Sequence, residues 1–150
     1  HVSIRPENTF VPDGLREDVA AACREYEERI ESLGGIDLQL LGIGHDGHIG
    51  FNEPEDVFRR YTHVASLTDM TREANRRFFA SLEEVPLSAV TMGIGTVMGA
   101  ERILLMATGK DKHAIMEKAF KGPVTPWVPA SILQFHHDVT VIVDEDCFRG

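Results

Sequence analysis

Ile36-Asp37-Leu38-Gln39-Leu40-Leu41-Gly42-Ile43-Gly44 is a short, mostly apolar run that ends abruptly in glycines. Such a run reads as a central strand that stops at a loop on the edge of its sheet. Upstream, Asp13 is placed to cap a helix in which Leu15, Val19, Cys23, Tyr26, Ile30 and Leu33 recur at three- and four-residue spacing, closed by Gly34-Gly35. Downstream, the pattern predicts a glycine- and histidine-rich loop to about Pro54, then a helix from Thr68 to about Leu82. A strand over Ala89-Val90-Thr91-Met92-Gly93 and a helical turn around Thr96 to Gly99 come next. Then follow a buried strand from Arg102 to Ala107, a helix from about Asp111 to Phe120, a short helix from Pro129 to Phe135 and a strand over Val139–Val143. Helices alternating with apolar strands imply an α/β fold with an open, mainly parallel sheet covered by helices, whose ligands bind at the carboxyl ends of the strands.

The chain has 150 residues, 43% hydrophobic and 26% charged, which suits one globular domain. Its 24 acidic and 15 basic side chains give a net charge of −9, which opposes nucleic acid or an anionic membrane as a main partner. No run approaches the roughly 20 apolar residues of a membrane span. Two cysteines, Cys23 and Cys147, are too few for a disulfide scaffold, so a reducing cytoplasm fits best. The charges are uneven. Residues 1–34 carry eight acidic and four basic side chains, but residues 69–121 carry seven and eight, so an anion site belongs in that later stretch.

The loop Gly42-Ile43-Gly44-His45-Asp46-Gly47-His48-Ile49-Gly50-Phe51-Asn52-Glu53-Pro54 holds the densest chemistry. Gly42, Gly44 and Gly47 match the G-x-G-x-x-G dinucleotide pattern, but Gly50 and Pro54 break the long helix that pattern requires. A metal site built on His45, Asp46, His48 and Glu53 would need one loop to supply three or more ligands in a fixed geometry, without the i, i+4 pairing of zinc peptidases. An acid/base site suits the residues better. A carboxylate on one ring nitrogen of His48 fixes its tautomer and leaves the other for substrate, a role open to Asp46 and Glu53. An ordinary loop histidine beside turn-forming Asp46 and Asn52 is the alternative.

Two cations look out of place. On a helical projection Arg77 falls on the face of Met70, Ala74, Phe78 and Ser81, where an arginine calls for an anion unless it snorkels to the rim. Lys112 falls in the first turn of a helix whose inner face is Ile115, Met116, Ala119 and Phe120, beside N–H groups that favour phosphate.

The loop sequence resembles the signature of the glucosamine-6-phosphate deaminase (isomerase) family. The likeness continues through Ala74-Asn75-Arg76-Arg77-Phe78-Phe79, Val85-Pro86, Thr91-Met92-Gly93-Ile94-Gly95-Thr96, Gly109-Lys110-Asp111-Lys112 and Pro129-Ala130-Ser131-Ile132-Leu133-Gln134-Phe135-His136. The resemblance implies a Rossmann-like three-layer sheet with helices on both faces, here lacking its N-terminal strands, and an activity that isomerises and deaminates glucosamine 6-phosphate. It implies His48 as acid/base oriented by Asp46 and Glu53, Arg77 and Lys112 as phosphate ligands, Gly42 as a backbone contact, and no cofactor or metal. Family members carry a further N-terminal segment with a phosphate loop and a proton-transferring aspartate. His1-Val2-Ser3-Ile4-Arg5-Pro6-Glu7-Asn8 aligns with mid-chain, so 1–150 is expected to be a single α/β domain forming a C-terminal portion, inactive alone. His63 and Ala65 stand where some bacterial members carry basic effector positions, against activation by an acetylated amino-sugar phosphate. A galactosamine-6-phosphate enzyme, a 6-phosphogluconolactonase-like hydrolase and a non-catalytic sugar-phosphate-binding module are the alternatives. The oligomeric state stays open between a single chain and a homo-oligomer.

Overall fold

A computed structural model describes residues 3–150; His1 and Val2 of the opening stretch lie outside the described residues. In chain order the regular elements are α1 (Val19–Ser32), β1 (Leu38–Leu41), β2 (His63–Ser66), α2 (Asp69–Asn75), β3 (Ser88–Thr91), α3 (Ile94–Met98), β4 (Arg102–Ala107), α4 (His113–Lys121), β5 (Val139–Val143) and α5 (Glu145–Arg149). Short 3-10 turns at Arg76–Phe78 and Lys110–Lys112 adjoin α2 and α4, and a longer one spans Pro129–Phe135.

The sheet that organises the molecule is parallel, in the order β1-β4-β5, with Leu41 opposite Leu105 and Leu105 opposite Val141. This is the α/β arrangement expected from the alternation of elements. Side chains alternate across the sheet. One face presents Leu41, Ile103, Leu105 and Ala107, all buried, and Ile94 and Val97 of α3, Ile115 and Ala119 of α4, Ala130, Leu133 and Cys147 pack against it in one cluster. The opposite face presents Leu38, Leu40, Met106 and Ile142, which are 54%, 60%, 47% and 48% exposed. An apolar sheet face left this open is unusual for a folded domain.

The remaining elements differ from the sequence expectation at definable points. Helix α1 starts at Val19 under an Asp18 cap, whose side chain accepts the Ala21 backbone N–H; Asp13 instead accepts the Leu15 N–H in a turn. Leu15, at 99% exposure, is therefore outside the buried stripe, which is carried by Ala22 and Cys23. The strand predicted over 89–93 forms as β3, but it pairs antiparallel with β2 in a separate two-stranded sheet. β2 lacked a sequence signal because His63-Val64-Ala65-Ser66 contains one strong β-former. α2 starts just past Thr68, whose side chain caps it by accepting the Thr71 N–H, and ends at Asn75, well short of Leu82. α5 went unpredicted; five residues capped by Asp144 are too few to show a period. Among the described residues no helix is long and apolar enough to cross a membrane.

The two faces of β1-β4-β5 predict opposite responses. Leu105→Ala is expected to lower stability by about 2–5 kcal/mol. Leu40→Lys is expected to change it by no more than about 0.5 kcal/mol. Urea unfolding midpoints check this, and a large loss from the Leu40 substitution would contradict the exposed face.

Candidate active site

β1 delivers the chain into a tightly wound loop. The Gly44 N–H donates to the His48 carbonyl at 2.9 Å and the Gly47 N–H donates to the Gly44 carbonyl at 3.1 Å, folding the His48 ring directly over Gly44. A Cβ at Gly44 would overlap that ring, so glycine is required there by contact. Gly47 has φ +91° and is required by conformation. The loop is fastened on both sides. Its Gly47 carbonyl accepts the Ala130 N–H, and the Asn52 side chain donates to the carbonyls of Ile49 and of Met92, just past β3.

Asp46 accepts twice from His48: from the backbone N–H at 3.1 Å and from ring Nδ1 at 2.8 Å. Glu53, buried at 9% exposure, receives the Thr68 N–H at 3.3 Å on Oε1 and brings Oε2 to 3.5 Å from the same Nδ1. Nδ1 thus faces two carboxylates and must carry the proton, which leaves Nε2 as the free nitrogen. Burial works against the Asp46 charge, but the ring and backbone hydrogen bonds from His48 overcome it and hold this carboxyl at about 2. The ligand atoms of Asp46, His48 and Glu53 lie within 4.8 Å of one another, the one such grouping among the described residues. With the proton on Nδ1, that nitrogen is a donor and is not available as a ligand atom.

His48 opens onto a cleft of about 730 Å³ at the carboxyl ends of β1 and β4, whose lining includes Gly42, Arg77, Thr108 and Lys112. Asp46 and Glu53 are not part of that lining; they stand behind the histidine. Lys112 is half-buried and donates from Nζ to the Ile43 carbonyl at 2.9 Å. Burial pushes its pKa down, against the pull of Asp111 and Asp46. The Arg77 guanidinium lies 4.8 Å above the Phe78 ring.

Glucosamine-6-phosphate deaminase of Lachnoclostridium phytofermentans (strain ATCC 700394 / DSM 18823 / ISDg) is 59% identical over 149 residues, covering 99% of this chain and 62% of the relative. A solved structure of a monomeric glucosamine-6-phosphate deaminase, described as a missing link of the NagB superfamily, matches with a TM-score of 0.92 at 47% identity. That match covers 95% of this chain and 59% of the other. Over nearly its whole length the chain is similar to glucosamine-6-phosphate deaminases. It spans about three fifths of the length of these relatives. The 6-phosphogluconolactonase from Trypanosoma cruzi is similar at a TM-score of 0.61 and 25% identity, over 85% of this chain and 50% of its own. No family model matches the chain.

Within this deaminase-like fold, Arg77 reaches the cleft by a route the helical projection misjudged. The projected inner face is exposed, Met70 at 56% and Phe78 at 68%, while Thr71 is the buried residue of α2. Arg72, not Arg77, is the arginine of this segment with a mostly covered side chain, and it donates to the carbonyls of Leu82 and Val85. The helix stops at Asn75, so a projection carried on at 100° per residue has no meaning at Arg77. The same cleft is lined by residues that no sequence argument singled out: His45 as paired with Asp111, and Thr71, Asn75 and Thr108. The adjacency of Asp111 and Lys112 was the available signal for the first.

The Asp46 carboxyl, lying below its ordinary 3.8, binds its proton less readily folded than unfolded. Its contribution to stability is therefore complete above about pH 4 and is lost as the pH falls towards 2. The stability difference between the parent protein and Asp46→Asn is expected to narrow over that range. Equal differences in urea midpoint at pH 6 and at pH 2.5 would contradict the assignment.

Proposed function

We propose that the cleft is most of the active site of an enzyme converting glucosamine 6-phosphate and water to fructose 6-phosphate and ammonia. The observation that carries the reading is the placement of His48, with Nδ1 held by Asp46 and the ring lining a cleft that Arg77 and Lys112 also line. In this reading Arg77 and Lys112 receive the phosphate and Gly42 offers backbone contact to the sugar. His48 Nε2 exchanges a proton with the ring oxygen as the ring opens, and Asp46 and Glu53 hold the tautomer and stabilise the charged imidazolium. The proton leaving C2 is delivered to C1, water supplies the new C2 oxygen, and the amino group leaves as ammonia. Each step is proton transfer or hydrolysis, so the reading includes no organic cofactor and no metal.

Asp111 is the one carboxylate among the cleft's lining residues, and it is engaged by His45 instead of standing free to move the proton between C2 and C1. We assign that step to a residue outside 1–150, and read 1–150 as a single α/β domain forming the C-terminal portion of a larger sugar-phosphate deaminase/isomerase domain. The open apolar face of Leu38, Leu40, Met106 and Ile142 supports this, as does the three-fifths span of the relatives. The reading places the protein in the cytoplasm, with a small amino-sugar phosphate as partner and neither nucleic acid nor membrane, and takes no position on a homo-oligomer.

The reading expects saturable binding of glucosamine 6-phosphate to this chain, weakened by Arg77→Ala or Lys112→Ala. Ammonia release is expected only from a polypeptide of the relatives' full length. In that longer polypeptide His48→Gln is expected to lower turnover by about 10²–10⁴-fold while binding persists. A coupled ammonia assay checks this, and near-normal turnover would remove the role given to His48. A strong preference for galactosamine 6-phosphate would reassign the substrate, and binding without ammonia release at full length would favour a binding module.

A further inference from the structure

The phosphate subsite read above has an awkward neighbour. Asp111 directly precedes Lys112, and both line the cleft. It is the one carboxylate among the cleft's lining residues, so an incoming phosphate drawn to Lys112 also meets a negative charge one residue away. His45 answers that charge. From the opposite wall, on the loop that carries His48, its Nε2 donates to Asp111 Oδ2 at 2.5 Å. This hydrogen bond is the leading cause that holds the Asp111 carboxyl below its ordinary range. Neither side chain is buried, at 48% and 62% exposure, so the pair is not needed to satisfy a desolvated group. The loop and the Lys110–Lys112 turn are already joined one step deeper by Lys112 Nζ on the Ile43 carbonyl, so the pair is not the sole tie between them.

We propose that His45 is a positioning residue for phosphate affinity: it turns the Asp111 carboxylate away from the Lys112 subsite and offsets its charge. The inference rests on the sugar-phosphate reading of the cleft. A charge role and a structural tie predict different signs. If His45 offsets Asp111, His45→Ala exposes the carboxylate to the ligand and weakens binding, whereas Asp111→Asn removes the repulsion and leaves binding equal or tighter. The double substitution then follows Asp111→Asn. If the pair only braces the loop, both single substitutions weaken binding and the double substitution does no better.

The test is calorimetric titration of glucosamine 6-phosphate into this chain and its three variants, at low and at high salt. His45→Ala is expected to weaken binding about three- to fivefold at low ionic strength. Screening should shrink that loss at high salt. Adding Asp111→Asn should restore the parent affinity or exceed it. An affinity unchanged by His45→Ala, or a loss that Asp111→Asn fails to rescue, overturns the inference while leaving the sugar-phosphate reading intact. Failure of the unsubstituted chain to bind at all overturns that reading and the inference together.

Discussion

The hydrogen bond from His48 Nδ1 to Asp46 is the constraint on which the site is built. At 2.8 Å and two residues apart, it demands that the chain double back within a single turn. That turn leaves no room for a side chain at Gly44 and requires a left-handed backbone at Gly47. The wound loop then needs outside support, because a five-residue coil holding a charged carboxylate would not keep its shape alone. Support comes from two directions: the Ala130 N–H on the Gly47 carbonyl, and Asn52 bridging Ile49 to Met92. Elements that touch no ligand, such as β3 and the Pro129–Phe135 turn, are thereby tied to the orientation of one imidazole.

The same geometry sorts the charges by depth. Glu53 and Asp46 sit behind the ring, where they fix a proton on Nδ1 and are shielded from anything in the cleft. Arg77 and Lys112 sit in the cleft wall. An overall charge of −9 is compatible with an anionic ligand because the negative groups nearest the cleft are engaged: Asp46 by His48, Asp111 by His45. Low exposure matters less here than pairing. Lys112 is partly desolvated, which pushes its pKa down, and the carboxylates nearby pull the other way.

The features legible in the sequence are those that depend on neighbours along the chain. β4 and β5 came out at their observed bounds because each is a nearly unbroken run of apolar and β-branched residues. The Asp46, His48, Glu53 grouping was legible because all three lie within eight residues. What depended on distant partners was not. Nothing between His63 and Ser66 announces a partner at Ser88–Thr91, and the pairing is set by the loop and α2 between them. Arg77 was named for a helical face that does not exist; it lines the cleft because α2 tightens into a 3-10 turn at Arg76, which redirects the side chains that follow. His45 was visible as a residue, but its partner 66 positions away was not.

The sheet itself explains how a sound core and an open face coexist in one chain. Packing by α3, α4 and the Pro129–Phe135 turn falls on the face of Leu41, Ile103 and Leu105, and it is this face whose strands lead into the cleft. A parallel sheet buries both faces as a rule, because its crossover helices distribute to either side. Here the sides differ in chemistry as well as cover: Leu38, Leu40, Leu104, Met106 and Ile142 are as apolar as their buried counterparts. Sequence selects apolar residues at such positions only where something covers them, since each exposed leucine forgoes about 1.5–3 kcal/mol of burial. Apart from Arg102 and Thr140, the composition of that face is therefore that of an interior, and β1 forms the edge of the three-stranded sheet beside it.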